Sequence, residues 1–123
     1  MISGAHVLVY ADDEQAARAF FRDVLGWAHV DNGDGWLIFR LPPAELGVHP
    51  AGGETSRRSG EHEFLLMCHD IEQTVAELRE KGVEFTRAVE DQGFGLVTRF
   101  KVPGASELSL YQPKHASPLA DFA

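Results

Sequence analysis

The sequence has a single cysteine, Cys68, which excludes an internal disulfide and any metal site built from several thiolates. It lies in the apolar run FLLMC and is expected to be a reduced, packed core residue, with a thiol too deeply apolar in setting to be activated. Cations are also scarce. Eleven Lys and Arg stand against nineteen Asp and Glu, a net charge of −8, and the longest basic run is Arg57-Arg58. Nucleic acid and anionic membranes are held by clustered cations, so neither is an expected partner. A cationic or neutral small molecule suits the balance better. No apolar run approaches the ~20 residues that cross a bilayer, and the start of the chain has no basic segment leading into one. A cytoplasmic protein is expected. A glycine-rich phosphate loop and a serine in a nucleophile elbow are missing as well.

What the chain does have is length for one core. With 123 residues, 44% of them hydrophobic, residues 1–123 are expected to form one domain. That domain reads as two half-size modules, 5–50 and 61–113, with a connector at 51–60 and a tail at 114–123.

The modules repeat one grammar. In the first, AHVLVYA is rich in β-branched and aromatic residues and reads as a strand. Asp12, with Gln15 three positions on, has the spacing of a helix cap. Ala17, Phe20, Phe21, Val24 and Leu25 then recur at helical spacing until Gly26 stops the helix. DNGDG is a turn between WAHV and WLIFRL, a predicted hairpin, and AELGVHP is a short closing strand. After the polar stretch AGGETSRRSG, EFLLMC reads as a strand and Asp70 to Gln73 repeats the cap spacing. Ile71, Val75 and Leu78 line one helical face, and Gly82 ends it. VEFTRAV, LVTRFKV and ELSLYQP follow as strands, with DQGFG as a turn. Both halves read β, α, β, β, β, and both end on Glu-Leu, a small residue, an aliphatic residue, a ring and a proline. The expected class is α+β.

Two βαβββ units, the helix end FFRDVLGW, the stretch DIEQTVAELREKGVEF and a Pro-Gly turn before a strand ending Tyr-Gln-Pro together resemble the vicinal oxygen chelate superfamily. That superfamily includes glyoxalase I, bleomycin-resistance proteins, fosfomycin-resistance enzymes and extradiol dioxygenases. The resemblance runs from Ala5 to Pro113. It implies two modules that curl into a cupped mixed sheet with the helices outside, and it implies homodimers, in some members with modules exchanged between chains. Fold membership says much less about chemistry.

Metal-dependent members of that superfamily take His or Glu ligands from the first and last strands of each module, because a Lewis-acid ion needs three or four fixed donors and an open position. The resemblance places His6 at the first of these positions. In the second module, counting back from Cys68-His69-Asp70 selects Glu63, whereas anchoring on Gly82 selects His62. Adjacent strand residues point to opposite faces, so only one of the two faces the cup. At the closing strands the equivalent positions are Gly47 and Ser109, which supply no carboxylate. Glu45 and Glu107 lie two residues earlier, about 7 Å along the strand.

His49 and Tyr111 have the parity of Gly47 and Ser109. On this reading they place an imidazole and a phenol at a pocket opened by small residues, with Trp36 among the aromatics available for its wall. Rings at strand ends also serve simply to cover a core edge. The first expectation is therefore a binding protein of the bleomycin-resistance-like class with an incomplete metal site, its ligand held by His49, Tyr111, Ser109, Gly47 and Trp36. The alternative is a lyase or dioxygenase that uses a divalent ion held by His6, by Glu63 or His62, and by a displaced Glu107 or Glu45. A third is a protein-interaction role in which the paired sheet serves for dimerisation.

Overall fold

The computed structural model describes residues 3–53 and 57–120. Residues 54–56 of the expected connector and 121–123 of the expected tail lie outside them. The chain forms two compact units, Met1–Arg40 with Lys101–Glu107, and Leu41–Phe100 with Leu108–Ala123.

In the first unit, helix α1 spans Glu14–Ala19. The cap is Asp13, one residue later than the expected Asp12: its Oδ1 accepts from the Ala16 N–H at 3.0 Å. Of the two neighbouring aspartates, Asp13 is the one whose carbonyl also accepts the Ala17 N–H, at 3.1 Å, so it alone stands at the helix mouth. The helix then widens into a π turn over Phe20–Val24, where the Leu25 N–H donates to the Phe20 carbonyl at 3.2 Å. Phe20 and Phe21 are both buried. Phe21 stacks on Trp27 with centroids 5.2 Å apart and leans on Phe39 at 5.7 Å. Gly26 stops the helix at a φ of 68°, a conformation that costs glycine little.

The predicted hairpin is present as β1, His29–Asp31, antiparallel to β2, Leu37–Phe39. Asp31 Oδ1 accepts from the Gly33 N–H at 2.8 Å and shapes the turn. The Pro-Gly turn returns to this unit, where the Asp13 N–H donates to the Gly104 carbonyl at 2.8 Å. A Cβ at Gly104 would stand 2.2 Å from the Asp13 oxygen, so this backbone approach requires glycine.

The second unit is a four-stranded sheet in the order β3-β6-β5-β4, with helix α2, Ile71–Glu80. Strand β3 is Leu65–Met67, β4 Glu90–Asp91, β5 Gly95–Lys101 and β6 Glu107–Pro113. Strands β3 and β6 run parallel, with Leu65 opposite Ser109 and Met67 opposite Tyr111. The α2 cap is Asp70 as expected, accepting from the Gln73 N–H at 3.1 Å, and Gly82 at φ 88° ends the helix. Ile71 and Val75 are buried. Gln112 Oε1 accepts the Ile71 N–H at 2.9 Å and ties the start of α2 to β6. None of the described helices is long and apolar enough to cross a membrane.

The class is α+β, as the sequence indicates, but three expected strands change. AHVLVYA carries no strand, and Val7, Leu8, Val9 and Tyr10 are exposed. AELGVHP carries none either, and Leu46 and Val48 are 90% and 89% exposed. Residue type alone does not make a strand, which needs a neighbour to take its backbone hydrogen bonds. VEFTRAV shrinks to one bridge, Phe85 opposite Phe100. There the Thr86 N–H donates to the Arg99 carbonyl at 2.9 Å, and the chain bends at Arg87. Thr98 Oγ1 donates to the Arg87 carbonyl at 2.8 Å, holding the bend with a side chain instead of a ladder.

Candidate ligand-binding cleft

Alternation along β6 puts Leu108, Leu110 and Gln112 on one face and Ser109 and Tyr111 on the other. Gln112 reaches α2, so Ser109 and Tyr111 look away from the helix, beside Leu65 and Met67, which lie opposite them in register. Ser109 lines a cleft of about 220 Å³ together with Leu65, Phe94 and Val97. Ser109 and Tyr111 are both buried.

A row of rings stands beside Ser109. Phe94 leans on Tyr111 with centroids 5.7 Å apart, His49 meets Phe94 edge-on at 6.4 Å, and His115 lies 5.8 Å from Tyr111. Gly95 makes room for this row, because a Cβ there would lie 2.4 Å from the Tyr111 ring and 2.6 Å from the Gln112 carbonyl. Burial raises the Tyr111 phenol above its ordinary range, and the Glu45 charge adds to it. Glu45 in turn accepts from Ser117 Oγ at 2.7 Å and stands 3.4 Å from His115 Nε2. Described residues of the tail are thereby docked against the 41–50 segment.

The sequence-predicted residues are divided between the two units. Ser109, Tyr111 and His49 lie in this unit, with Ser109 in the cleft wall and His49, although exposed, in contact with the ring row. Gly47 is exposed, and the nearest group to a Cβ there would be the His49 ring, 3.7 Å away. Trp36 belongs to the other unit; it is 60% exposed and carries the Arg18 guanidinium 4.5 Å over its ring. His6 is in that unit as well, exposed.

Of the two alternatives in the second module, Glu63 lines the cleft and His62 is not among its lining residues. Glu63 is, however, 3.4 Å from Arg57 Nη2, and Arg57 Nη1 is 3.6 Å from Glu61. A guanidinium against the carboxylate competes directly with a divalent ion. Among the described residues no three His, Cys, Asp or Glu side chains are grouped to hold a metal. The donors at this cleft do not fit the ion that metal-dependent relatives of this fold use. Cys68 offers no alternative nucleophile: burial pushes its thiol up to about 11, with Asp70 adding and a Thr74 hydrogen bond partly offsetting.

Sequence reasoning missed the cleft's arginines, Arg57, Arg87 and Arg99. For Arg99 a signal was present. In LVTRFKV, alternation sets Arg99 on the face of Val97, opposite Thr98 and Phe100, and a cation among strand residues asks for an explanation.

The model of the Glyoxalase/Bleomycin resistance protein/Dioxygenase superfamily matches residues 4–108. The chain belongs to this superfamily. No curated protein sequence matches it. Among solved structures, the superfamily fold recurs in an antibiotic-binding protein, TnmS3, of a Streptomyces species, which is 22% identical with a TM-score of 0.64 over 92% of this chain and 98% of that one. A superfamily member from Sphaerobacter thermophilus is 26% identical, with a TM-score of 0.61 over 91% and 98% of the two chains. A lactoylglutathione lyase from Agrobacterium tumefaciens is 18% identical, with a TM-score of 0.61 over 89% and 92%.

Proposed function

We propose that this superfamily member is a small-molecule-binding protein whose ligand enters the cleft beside Ser109 and the Phe94–Tyr111 ring pair. The observation that carries this reading is the cleft itself. A face of the sheet that α2 leaves free has a buried hydroxyl, an apolar wall from Leu65 and Val97, and an aromatic edge at Phe94. Leu65, Phe94 and Val97 stand among polar and charged side chains, so the cleft offers both packing surface and hydrogen-bonding groups to a ligand. The likeness to an antibiotic-binding protein agrees with it at the level of fold. The net charge of −8 supports a partner other than nucleic acid or an anionic membrane.

The reading extends to a homodimer. Each unit exposes one apolar segment of strand-like composition, Val7 to Tyr10 in one and Leu46 to Val48 in the other, and a second copy would supply the missing strand neighbours.

A thermal-shift screen of small organic molecules, followed by titration of the hits, tests the binding role. Hits raise the melting temperature through preferential binding to the folded state, and Phe94→Ala, which removes a ring 43% exposed at the cleft edge, weakens them several-fold. Metal analysis of protein purified without chelator is the counter-test. A stoichiometric divalent ion that disappears in His6→Ala would overturn the binding-protein reading in favour of the lyase or dioxygenase.

A further inference from the structure

The charge around the cleft runs against the charge of the whole chain. Five ionisable side chains line it, Arg57, Arg87 and Arg99 against Glu63 and Glu90, so the wall is net cationic in a protein of net charge −8. The arginines are not equivalent. Arg57 is engaged by Glu61 and Glu63. Among the described residues, no carboxylate stands within ion-pair distance of the Arg87 or Arg99 side chain. Their backbones are fixed beside each other: the Arg99 carbonyl accepts the Thr86 N–H at 2.9 Å, and the Arg87 carbonyl accepts Thr98 Oγ1 at 2.8 Å.

We infer that the cleft selects a small organic carboxylate, with Arg87 and Arg99 binding the anionic group and Phe94 and Leu65 the apolar body. This rests on the ligand-binding reading above and names the ligand class. A guanidinium presents paired N–H donors that match the two oxygens of a carboxylate, and such charge-assisted bonds are stronger than neutral ones. Two guanidinium groups with no ion-pair partner among the described residues, in a cleft whose apolar lining is Leu65, Phe94 and Val97, present donors to a ligand's charge. Glu63 and Glu90 sharpen the selection. The Arg57 guanidinium offsets Glu63, and Glu90 repels a second negative charge, so a monoanion is favoured over a dianion. A cleft of about 220 Å³ limits the body to roughly a single ring.

The test uses three probes of nearly the same shape and different charge: benzoate, benzamide and benzamidine, titrated against the full chain by NMR at low ionic strength. The expected result is that benzoate binds at least tenfold tighter than benzamide, with benzamidine weakest, and that added salt erodes the benzoate preference. Arg87→Gln with Arg99→Gln removes the benzoate preference over benzamide, and Arg87→Gln with Arg99→Lys keeps part of it. Amide resonances away from the cleft that match those of the unsubstituted chain show that the double variant is folded. Equal binding of all three probes, or a preference for benzamidine, overturns the carboxylate inference and leaves the cleft a ligand site. No binding by any probe overturns both the inference and the cleft as the site. A benzoate preference that survives the double variant overturns the assignment to these two arginines.

Discussion

Cys68 sits where the end of β3 meets β6, its backbone N–H donating to the Tyr111 carbonyl at 2.9 Å. Its thiol ionises near 11 in the folded protein against an ordinary 9.0. Below pH 9 both folded and unfolded chains keep the proton, and the contribution to stability is fully present. As the pH rises from 9 to about 11 the unfolded chain ionises first, so stability falls across that window. Tyr111, raised above its ordinary 10.0, pulls in the same direction at slightly higher pH. Urea midpoints measured from neutral to alkaline pH should therefore decline in this window, and the decline should be shallower in Cys68→Ala. That Cys68 is a buried core residue was legible from the apolar run around it. Arg87 was not, because its position depends on a bend held by a threonine from another strand, Thr98.

Among elements, α2 is the clearest case of sequence determining structure. Its cap Asp70, its buried face of Ile71 and Val75 and its Gly82 stop all coincide with their expected places. The local signals suffice there because cap, periodicity and stop act within a few residues of one another. Replacing Asp70 by alanine frees the Gln73 N–H and should cost about 1 kcal/mol in chemical denaturation, whereas the adjacent His69→Ala should leave the cap intact. Asp12 and Asp13 are two equally good caps side by side, and composition does not choose between them; the close approach of Asp13 to Gly104 does. Strands were less legible for the same reason. LVTRFKV and ELSLYQP became β5 and β6, but AHVLVYA and AELGVHP have the same kind of composition and no neighbour within the chain's described sheets. Pairing is a property of two segments, and single-segment patterns are silent on it.

At the scale of the whole molecule, the unpaired segments set the expectation for association. Light scattering coupled to size exclusion should give twice the chain mass of 13.6 kDa. Leu8→Asp or Val48→Asp should shift the protein toward monomer, since each places a charge in an exposed apolar stretch that a second copy would cover. A monomer for the unsubstituted chain at every concentration would remove the homodimer from the proposed function. Chain-wide and local charge differ in sign: the chain is net −8, whereas Arg57, Arg87 and Arg99 outnumber Glu63 and Glu90 around the cleft. The benzoate and benzamidine titrations decide between an anionic ligand and the cationic or neutral one that the composition suggests.

The order β3-β6-β5-β4 also has a consequence in time. Strand β6, the last of the described strands to leave the ribosome, is inserted between two that precede it, and it joins Leu65 to Ser109 across a long stretch of chain. Such non-local pairs close late. Until Pro113 has emerged, β3 has no partner, Ile71 lacks the Gln112 acceptor for its N–H, and one wall of the cleft does not exist. Synthesis therefore delivers Arg57, Glu63 and Arg87 well before the strand that completes the cleft wall, and a nascent chain halted before β6 would carry those residues without the Ser109 side of the cleft.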